Sequence, residues 1–304
     1  MIGIPATDRA YTAAIAGASG YAGMELARLL ARHPQLAATV LQARSEGFAD
    51  IDPGELASCD VVFLCLPRGA SRAIGQRLAD AGARVVDLGS DFRVDGWTYG
   101  LPELHRDAIG RSRLVANPGC YATAAILALA PLAEAGLIDG AVAIDGKSGV
   151  TGAGREPSPK THLPDLHGGV APYSPTGHRH IAEIEQELSV PVTFTPHLLP
   201  TSRGLLVTAY ARLTDRDVDL DTLYAARYAA EPFVRLGENP SPNRLAGSNT
   251  VAIGAWRDDR TGMAIVAAAL DNLVKGAAGQ AIQNANLMLG LPEALGLERV
   301  GVWP

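Results

Sequence analysis

The first half of this 304-residue chain alternates strand-like and helix-like segments so regularly that few folds remain open to it. Apolar runs at 11–16, 38–42, 60–66, 84–88, 113–116 and 141–144 read as strands. Helical patterns such as 22–32 and 72–81 lie between them, several closed by Gly or Pro. Strands joined through helices run parallel with right-handed crossovers, so the pattern predicts an α/β architecture that begins with a Rossmann-type parallel sheet. The first strand–helix junction reads "AIAGASGYAG", with Gly17, Gly20 and Gly23 at a three-residue spacing. Small residues there let backbone come close to a phosphate, and the helix that follows points its free N–H groups and positive dipole end at it. A tight turn without a ligand is the bland alternative, but the placement at the first junction of a βαβ series favours a dinucleotide. Gly17, Ser19, Gly20, Tyr21 and Gly23 are the candidate contacts.

The end of the second strand, "VLQARSEG", bears on which dinucleotide. An NAD site usually carries Asp or Glu there for the ribose 2′-hydroxyl; this chain has Arg44-Ser45, which suits a 2′-phosphate and favours NADP(H), although Glu46 follows at once. Beyond residue 147 the rhythm changes. A Gly/Pro/His-rich stretch over 148–177 reads as a substrate loop. One helix follows it, and then strand-like runs come at 192–199, 205–213, 249–256 and 263–270 with few helices between them. Clustered strands of this kind predict an α+β domain with a mixed or antiparallel sheet. The expected division is 1–146 for the nucleotide-binding domain, completed by about 275–304, and 147–274 for an α+β substrate domain, to which the family resemblance given below adds the role of dimerisation. The last helical stretch, 275–289, returns to the first domain.

In "RLVANPGCYATAAILALAPL" a cysteine stands between Pro-Gly and an alanine-rich helix. Cys120 therefore falls at or just before a helix N-terminus, where unpaired N–H groups and the dipole favour the thiolate, the nucleophilic form. A small hydrophobe filling a tight corner is the competing reading. "TGHRHIAEIEQEL" then places His178, Arg179 and His180 at the head of an amphipathic helix. A histidine beside a reactive thiol can move protons near neutral pH. A His-x-His pair is also a metal possibility, but no third or fourth ligand stands at zinc spacing, so no metal is expected. Lys147, Arg155, Arg179 and Arg203 are candidate anion contacts. The net charge of −6 argues against nucleic acid or an anionic membrane as partner, so an anionic substrate needs a local cluster of such cations. No apolar run reaches eighteen residues, and Asp8 and Arg9 interrupt the N-terminal stretch, which points to a cytoplasmic protein. Cys59, Cys65 and Cys120 form neither a disulfide framework nor a CxxC pair.

A nicotinamide-nucleotide fold together with an activated thiol implies acyl or aldehyde oxidoreduction through a covalent thioester. The motifs "GASGYAG", "DVVFLCLPRGAS", "VVDLGSDFR", "YGLPEL", "ANPGCYATAA", "KSGVTGAGR", "GHRHIAEIEQEL", "FTPHLLPTSRG" and "DNLVKGAAGQAIQNANLMLGLPE" resemble those of the N-acetyl-gamma-glutamyl-phosphate reductases over nearly the whole chain. The resemblance implies an NADPH enzyme of arginine biosynthesis, with Cys120 as nucleophile and His180, with His178 close by, as general acid/base. It also implies Asn117, Arg179 and Arg203 at the substrate, and Ser148, Gly149 and Asn272 beside the cofactor along with Arg44 and Ser45. A homodimer or homotetramer acting on a small acyl phosphate is implied as well. Segments after Arg44-Ser45 and between "DFR" and "YGLPEL" are shorter than in the family, and His105 stands where Asn is commoner. A relative acting on a carrier-protein-linked acyl phosphate of lysine biosynthesis, aspartate-semialdehyde dehydrogenase, and a non-catalytic NADP-binding regulator are the alternatives.

Overall fold

The computed structural model describes residues 9–302 apart from positions 95 and 238, and of residues 160 and 163 it describes the backbone alone; Asp8 lies outside the described residues. The chain divides into two compact units, Met1–Pro118 with Ala277–Leu297, and Gly119–Gly276 with Glu298–Pro304. The division falls at the Pro118–Gly119 bond rather than near residue 146, because the helix that begins with Cys120 packs into the second unit.

In unit 1, β1 (Tyr11–Ala16), α1 (Tyr21–Leu30), β2 (Leu36–Gln42), α2 (Pro53–Ala57), β3 (Val61–Leu64), α3 (Ser71–Asp80), β4 (Val85–Asp87), β5 (Thr98–Tyr99), α4 (Pro102–Arg111) and β6 (Leu114–Ala116) follow in order. The six strands lie β2-β1-β3-β4-β6-β5, all parallel. The predicted Rossmann-type sheet is therefore present. β3 is a short apolar run and β4 a pair of valines ending in Asp87, and both are buried at every position, as strands covered on both faces must be. The sheet order reverses between β1 and β3, which makes the carboxyl ends of these strands the place where an open α/β sheet binds ligands. The helix α9 (Gly279–Met288), entered through a π-helical turn at Val274–Ala278, belongs to this unit and packs on β4, α1 and α4.

In unit 2, α5 (Cys120–Glu134), β7 (Val142–Gly149), α6 (Leu163–Leu166), β8 (Ala171–Pro172), α7 (His180–Leu188), β9 (Val192–Leu199), β10 (Leu205–Arg212), α8 (Leu220–Tyr228), β11 (Val234–Leu236), β12 (Val251–Asp258) and β13 (Met263–Leu270) build a mixed seven-stranded sheet. Its order is β11-β12-β13-β10-β7-β9-β8. The strand predicted over 141–144 as part of the first domain's rhythm is β7, and it lies in this second sheet instead, antiparallel to β10 and parallel to β9. Its sequence, VAIDGKSG, alternates apolar and polar, the signature of a strand with one covered face, unlike the continuous apolar runs of unit 1. α5 covers that face: Tyr121 to Leu132 are all buried, so the helix is apolar all round because it lies in the core. On the other face Tyr210 and Trp256 stay exposed at 41% and 42%.

Candidate active site

Cys120 is the first residue of α5, and Gly119, in extended backbone, is its cap without any side-chain acceptor for the free N–H groups. The thiol is half-buried. A Cβ on Gly119 would lie 2.2 Å from His180 Nε2, and one on Gly276 would lie 2.7 Å from the Cys120 Cβ. Two glycines thus make room, one for an imidazole beside the turn and one for the cysteine itself. Gly119 has φ −72°, a value open to any residue, so its identity answers to packing and not to backbone strain.

His180 is the first residue of α7 and is buried. One turn later on the same helix, Glu183, also buried, accepts the Gly119 N–H at 2.9 Å through Oε2, while its Oε1 lies 3.9 Å from His180 Nε2. One carboxylate therefore fixes the backbone before the cysteine and faces the imidazole. His178 stacks edge-on against His180 at 4.5 Å between ring centres, with Tyr121, Tyr173 and Phe194 around it at 5.9, 5.6 and 5.2 Å. Its Nδ1 accepts the His180 N–H at 3.2 Å, which puts any single proton on Nε2. Burial, with the Arg179 charge beside it, holds the His178 pKa down at about 4. Tyr173 is pushed up to about 12, by burial first and then by negative charge on Cys120.

Arg179 is exposed. Arg203 Nη1 is held at 3.0 Å by Asp271, a buried carboxylate that also accepts the Gly247 and Leu273 N–H groups. Asn272 uses its Oδ1 on the Gly204 N–H at 2.8 Å and its amide N–H on Thr151 at 2.9 Å. Ser148 is buried and donates to the Gly149 carbonyl. A Cβ on Gly149 would meet the Arg203 backbone at 2.8 Å, so this glycine lets the end of β7 lie against the arginine's strand connection. Lys147 is paired with Asp145 at 2.6 Å. Thus Ser148, Asn272 and Arg203 all serve the internal order of unit 2, and Arg203 keeps part of its side chain exposed.

Unit 1 holds the other candidates. Gly17 has φ +88°, and a Cβ there would sit 2.3 Å from the Cys65 carbonyl; one on Gly23 would sit 2.3 Å from the Gly17 carbonyl. Both are dictated by the chain's own packing. Gly20, the cap of α1, is different: its Cβ would meet only the Gly17 carbonyl at 3.5 Å. That open ground in front of a helix N-terminus fits a dinucleotide pyrophosphate. Ser19 and Ser45 hydroxyls lie 2.9 Å apart with Arg44 exposed beside them, a donor set suited to a phosphate. Asn117, just past β6, is fully buried, donates to the Ala277 carbonyl at 3.2 Å and accepts from Asn284 at 3.0 Å. Glu183, Asp271 and Gly276 escaped the sequence reading; for Glu183 the three-residue step from His180 along a helix was the available signal. Among the described residues no group of three His, Cys, Asp or Glu side chains could hold a metal ion.

Fold and thiol site together define a semialdehyde dehydrogenase. Residues 12–112 match the NAD binding domain of that class and residues 120–272 its dimerisation domain. Aspartate semialdehyde dehydrogenase II of Vibrio cholerae, solved with ASA, superposes with a TM-score of 0.78 at 20% identity, covering 93% of this chain and 99% of that one. The Candida albicans aspartate semialdehyde dehydrogenase, solved with NADP, gives 0.71 at 17%, covering 92% and 98%. The chain belongs to the N-acetyl-gamma-glutamyl-phosphate reductases: it is 43% identical to the one of Moorella thermoacetica over 96% of this chain and 99% of the relative, and 44% identical to that of Methanopyrus kandleri over 95% and 98%. The first of these alignments runs over 343 positions against 304 residues here, so the relative carries segments that this chain lacks.

Proposed function

We propose that the protein reduces N-acetyl-gamma-glutamyl phosphate to N-acetylglutamate 5-semialdehyde and phosphate, with NADPH as reductant and Cys120 as nucleophile, in arginine biosynthesis. The observation that carries this reading is the thiol at the start of α5 with a buried histidine and carboxylate built around the preceding glycine.

The chemistry assigned to each residue follows from its surroundings. The α5 N-terminus and an imidazolium at His180 favour the Cys120 thiolate. The thiolate attacks the acyl carbon, the carbon–sulfur bond forms as the carbon–oxygen bond to phosphate breaks, and a thioester remains on Cys120. NADPH, when bound at the glycine turn of unit 1, supplies the hydride for that carbon. His180 gives a proton to the resulting oxyanion and takes it back as the carbonyl reforms and the thiolate leaves. Glu183 orients the imidazole and favours its charged form. His178, with a low pKa and Nδ1 engaged by backbone, positions His180 and stays neutral. Arg203, oriented by Asp271, and Arg179 supply cations for the substrate's carboxylate and phosphate. Gly17, Gly20 and Gly23 bring the α1 N-terminus to the pyrophosphate, and Arg44, Ser45 and Ser19 hold the 2′-phosphate.

The family's dimerisation domain supports self-association, and the uncovered sheet face bearing Tyr210 and Trp256 is the surface we assign to it. Among the described residues no helix is long and apolar enough to cross a membrane. The test is NADP+ reduction by N-acetylglutamate semialdehyde, run with and without phosphate or arsenate, beside aspartate semialdehyde and a carrier-linked substrate. Phosphate-dependent turnover of the acetylated aldehyde, lost by at least about 10⁴-fold in Cys120→Ser, is expected. Preference for the carrier-linked or the aspartate substrate overturns the reading, as does a Cys120→Ser enzyme that still turns over.

A further inference from the structure

Asp87 is a buried carboxylic acid that the chemistry above does not use. It is the last residue of β4, in register with Leu64 at the end of β3, and its carbonyl accepts the Asn117 N–H beyond β6. The side chain is fully buried; Oδ1 accepts the Gly89 N–H at 3.0 Å. The carboxyl thus lies at the carboxyl ends of the strands, one strand from Cys65, whose carbonyl touches Gly17 in the glycine turn. Adjacent strands are about 4.8 Å apart, so about 10 Å separates Asp87 from that turn.

The groups that face Asp87 come from every element packed on β4. From β3's end comes the Cys65 thiol, pushed up by its own burial and then by Asp87. From α3 comes the Ser71 hydroxyl, while Arg72, Arg77 and Asp80 of that helix are exposed. The connection after β4 brings Arg93 and Asp91, and β6 brings only backbone. α9 has no titratable side chain. Burial is the largest influence and raises the Asp87 pKa; the Ser71 hydroxyl, the Gly89 N–H and Arg93 pull it down, and Asp91 pushes it up, with the balance at about 6. The loops on either side are tied together, since Asp91 accepts the Gly69 N–H with both oxygens at 2.9 Å.

We propose that Asp87 couples dinucleotide binding to proton uptake: the bound, polyanionic cofactor holds this buried carboxyl protonated, so affinity is highest on the acid side and falls once Asp87 ionises. This rests on the reading that unit 1 binds NADP(H). No contact between Asp87 and the dinucleotide is needed, because a charge in the low-dielectric floor of the crevice is felt across two strands. With a free pKa near 6, raised further by the ligand, the change falls between about pH 6 and pH 7.5.

NADPH binding, followed by titration calorimetry and protein fluorescence from pH 5.5 to 8 in wild type and Asp87→Asn, tests this. The wild type should lose about tenfold in affinity across the range, the equivalent of a one-unit pKa displacement. Asp87→Asn should show no such loss, because the cofactor's own 2′-phosphate, which titrates near pH 6 in both proteins, binds its cations better as the dianion and so acts in the opposite direction. Calorimetry of the wild type in two buffers of different ionisation enthalpy should report net proton uptake near pH 6.5, which needs no variant to fold. Parallel profiles in the two proteins, or no proton uptake, overturn the inference while leaving the function intact. Absence of NADPH binding by wild type at every pH overturns both.

Discussion

The N-termini of α1 and α5 are made of the same parts and used in opposite ways. Each follows a parallel strand, each is capped by a glycine in extended backbone, at ψ 163° and ψ 146°, and neither has a side-chain cap or an acidic residue in its first turn. Both therefore present unsatisfied N–H groups and a positive dipole end. At α1 the ground in front of Gly20 is left open. At α5 the chain fills it: the His180 ring lies against Gly119, Glu183 takes the Gly119 N–H, and the first helical residue is the thiol itself. A helix start with nothing in front of it is a site for a ligand's anion. One furnished with an imidazole and a buried carboxylate is a site for the protein's own anion.

The largest effect should come from putting the same methyl group at both caps. In Gly119→Ala the backbone is unstrained but the imidazole must move, and a displacement of that size should lower kcat about 100-fold with NADPH affinity unchanged. In Gly20→Ala the chain has room, so thermal stability should stay put while NADPH affinity falls roughly tenfold. Steady-state kinetics beside equilibrium binding reads both. If Gly119→Ala weakens NADPH instead and Gly20→Ala lowers kcat, the two helix starts have been assigned the wrong way round.

Glu183→Gln sharpens the contrast at α5 alone. Glutamine still accepts the Gly119 N–H, so the turn is kept, but the negative charge facing His180 is gone. The expected outcome is a kcat/KM about tenfold lower, with the alkaline limb of its pH profile moved to lower pH, because the imidazolium loses the carboxylate that favours it. A fall in rate with an unmoved profile would reduce Glu183 to a backbone clip.

Much of this was legible from the chain, for a local reason. The glycine turn and the Pro-Gly-Cys turn are each written in adjacent residues, and the parallel and mixed sheets announce themselves by whether their strands read as continuous or alternating. What escaped depends on distant partners. Nothing near Asn117 or Asn272 tells whether an amide faces a ligand or the chain; the fold engages both internally, one on Ala277 and Asn284, the other on Gly204 and Thr151. The sequence pattern puts the strand over 141–144 in the first sheet because a strand after a helix continues a βαβ series by default. Only the packing of α5 against β10 and β13 moves it to the second.

The two helices also differ in how the rest of each is held, and pH separates them. α5 is fixed by apolar burial, each large side chain contributing about 1.5–3 kcal/mol without reference to protons. The end of α1 is fixed by His33, fully buried, whose Nδ1 accepts the Gln35 and Leu36 N–H groups at 3.2 and 2.9 Å and whose Nε2 lies 3.1 Å from Asn286 Oδ1 on α9. Gly296 leaves room for the ring, since a Cβ there would come within 2.2 Å of it. Burial holds the His33 pKa below its ordinary 6.5, against the pull of Asn286 and Leu295 and with Arg9 adding to the effect. A depressed native pKa means the unfolded chain binds the extra proton. The stabilisation is whole above about pH 6.5 and fades as pH falls below it. His178 carries the same sign, so the first turn of α7 should loosen too. Hydrogen exchange at pH 7.5 and pH 5, corrected for intrinsic rates, should show protection falling by a few-fold at the α1–β2 junction and the facing turn of α9. The interior of α5, residues 124–132, should hold. Equal losses in both helices would mean that acid acts on the whole fold and that the polar anchor of α1 is no weaker than the apolar bed of α5.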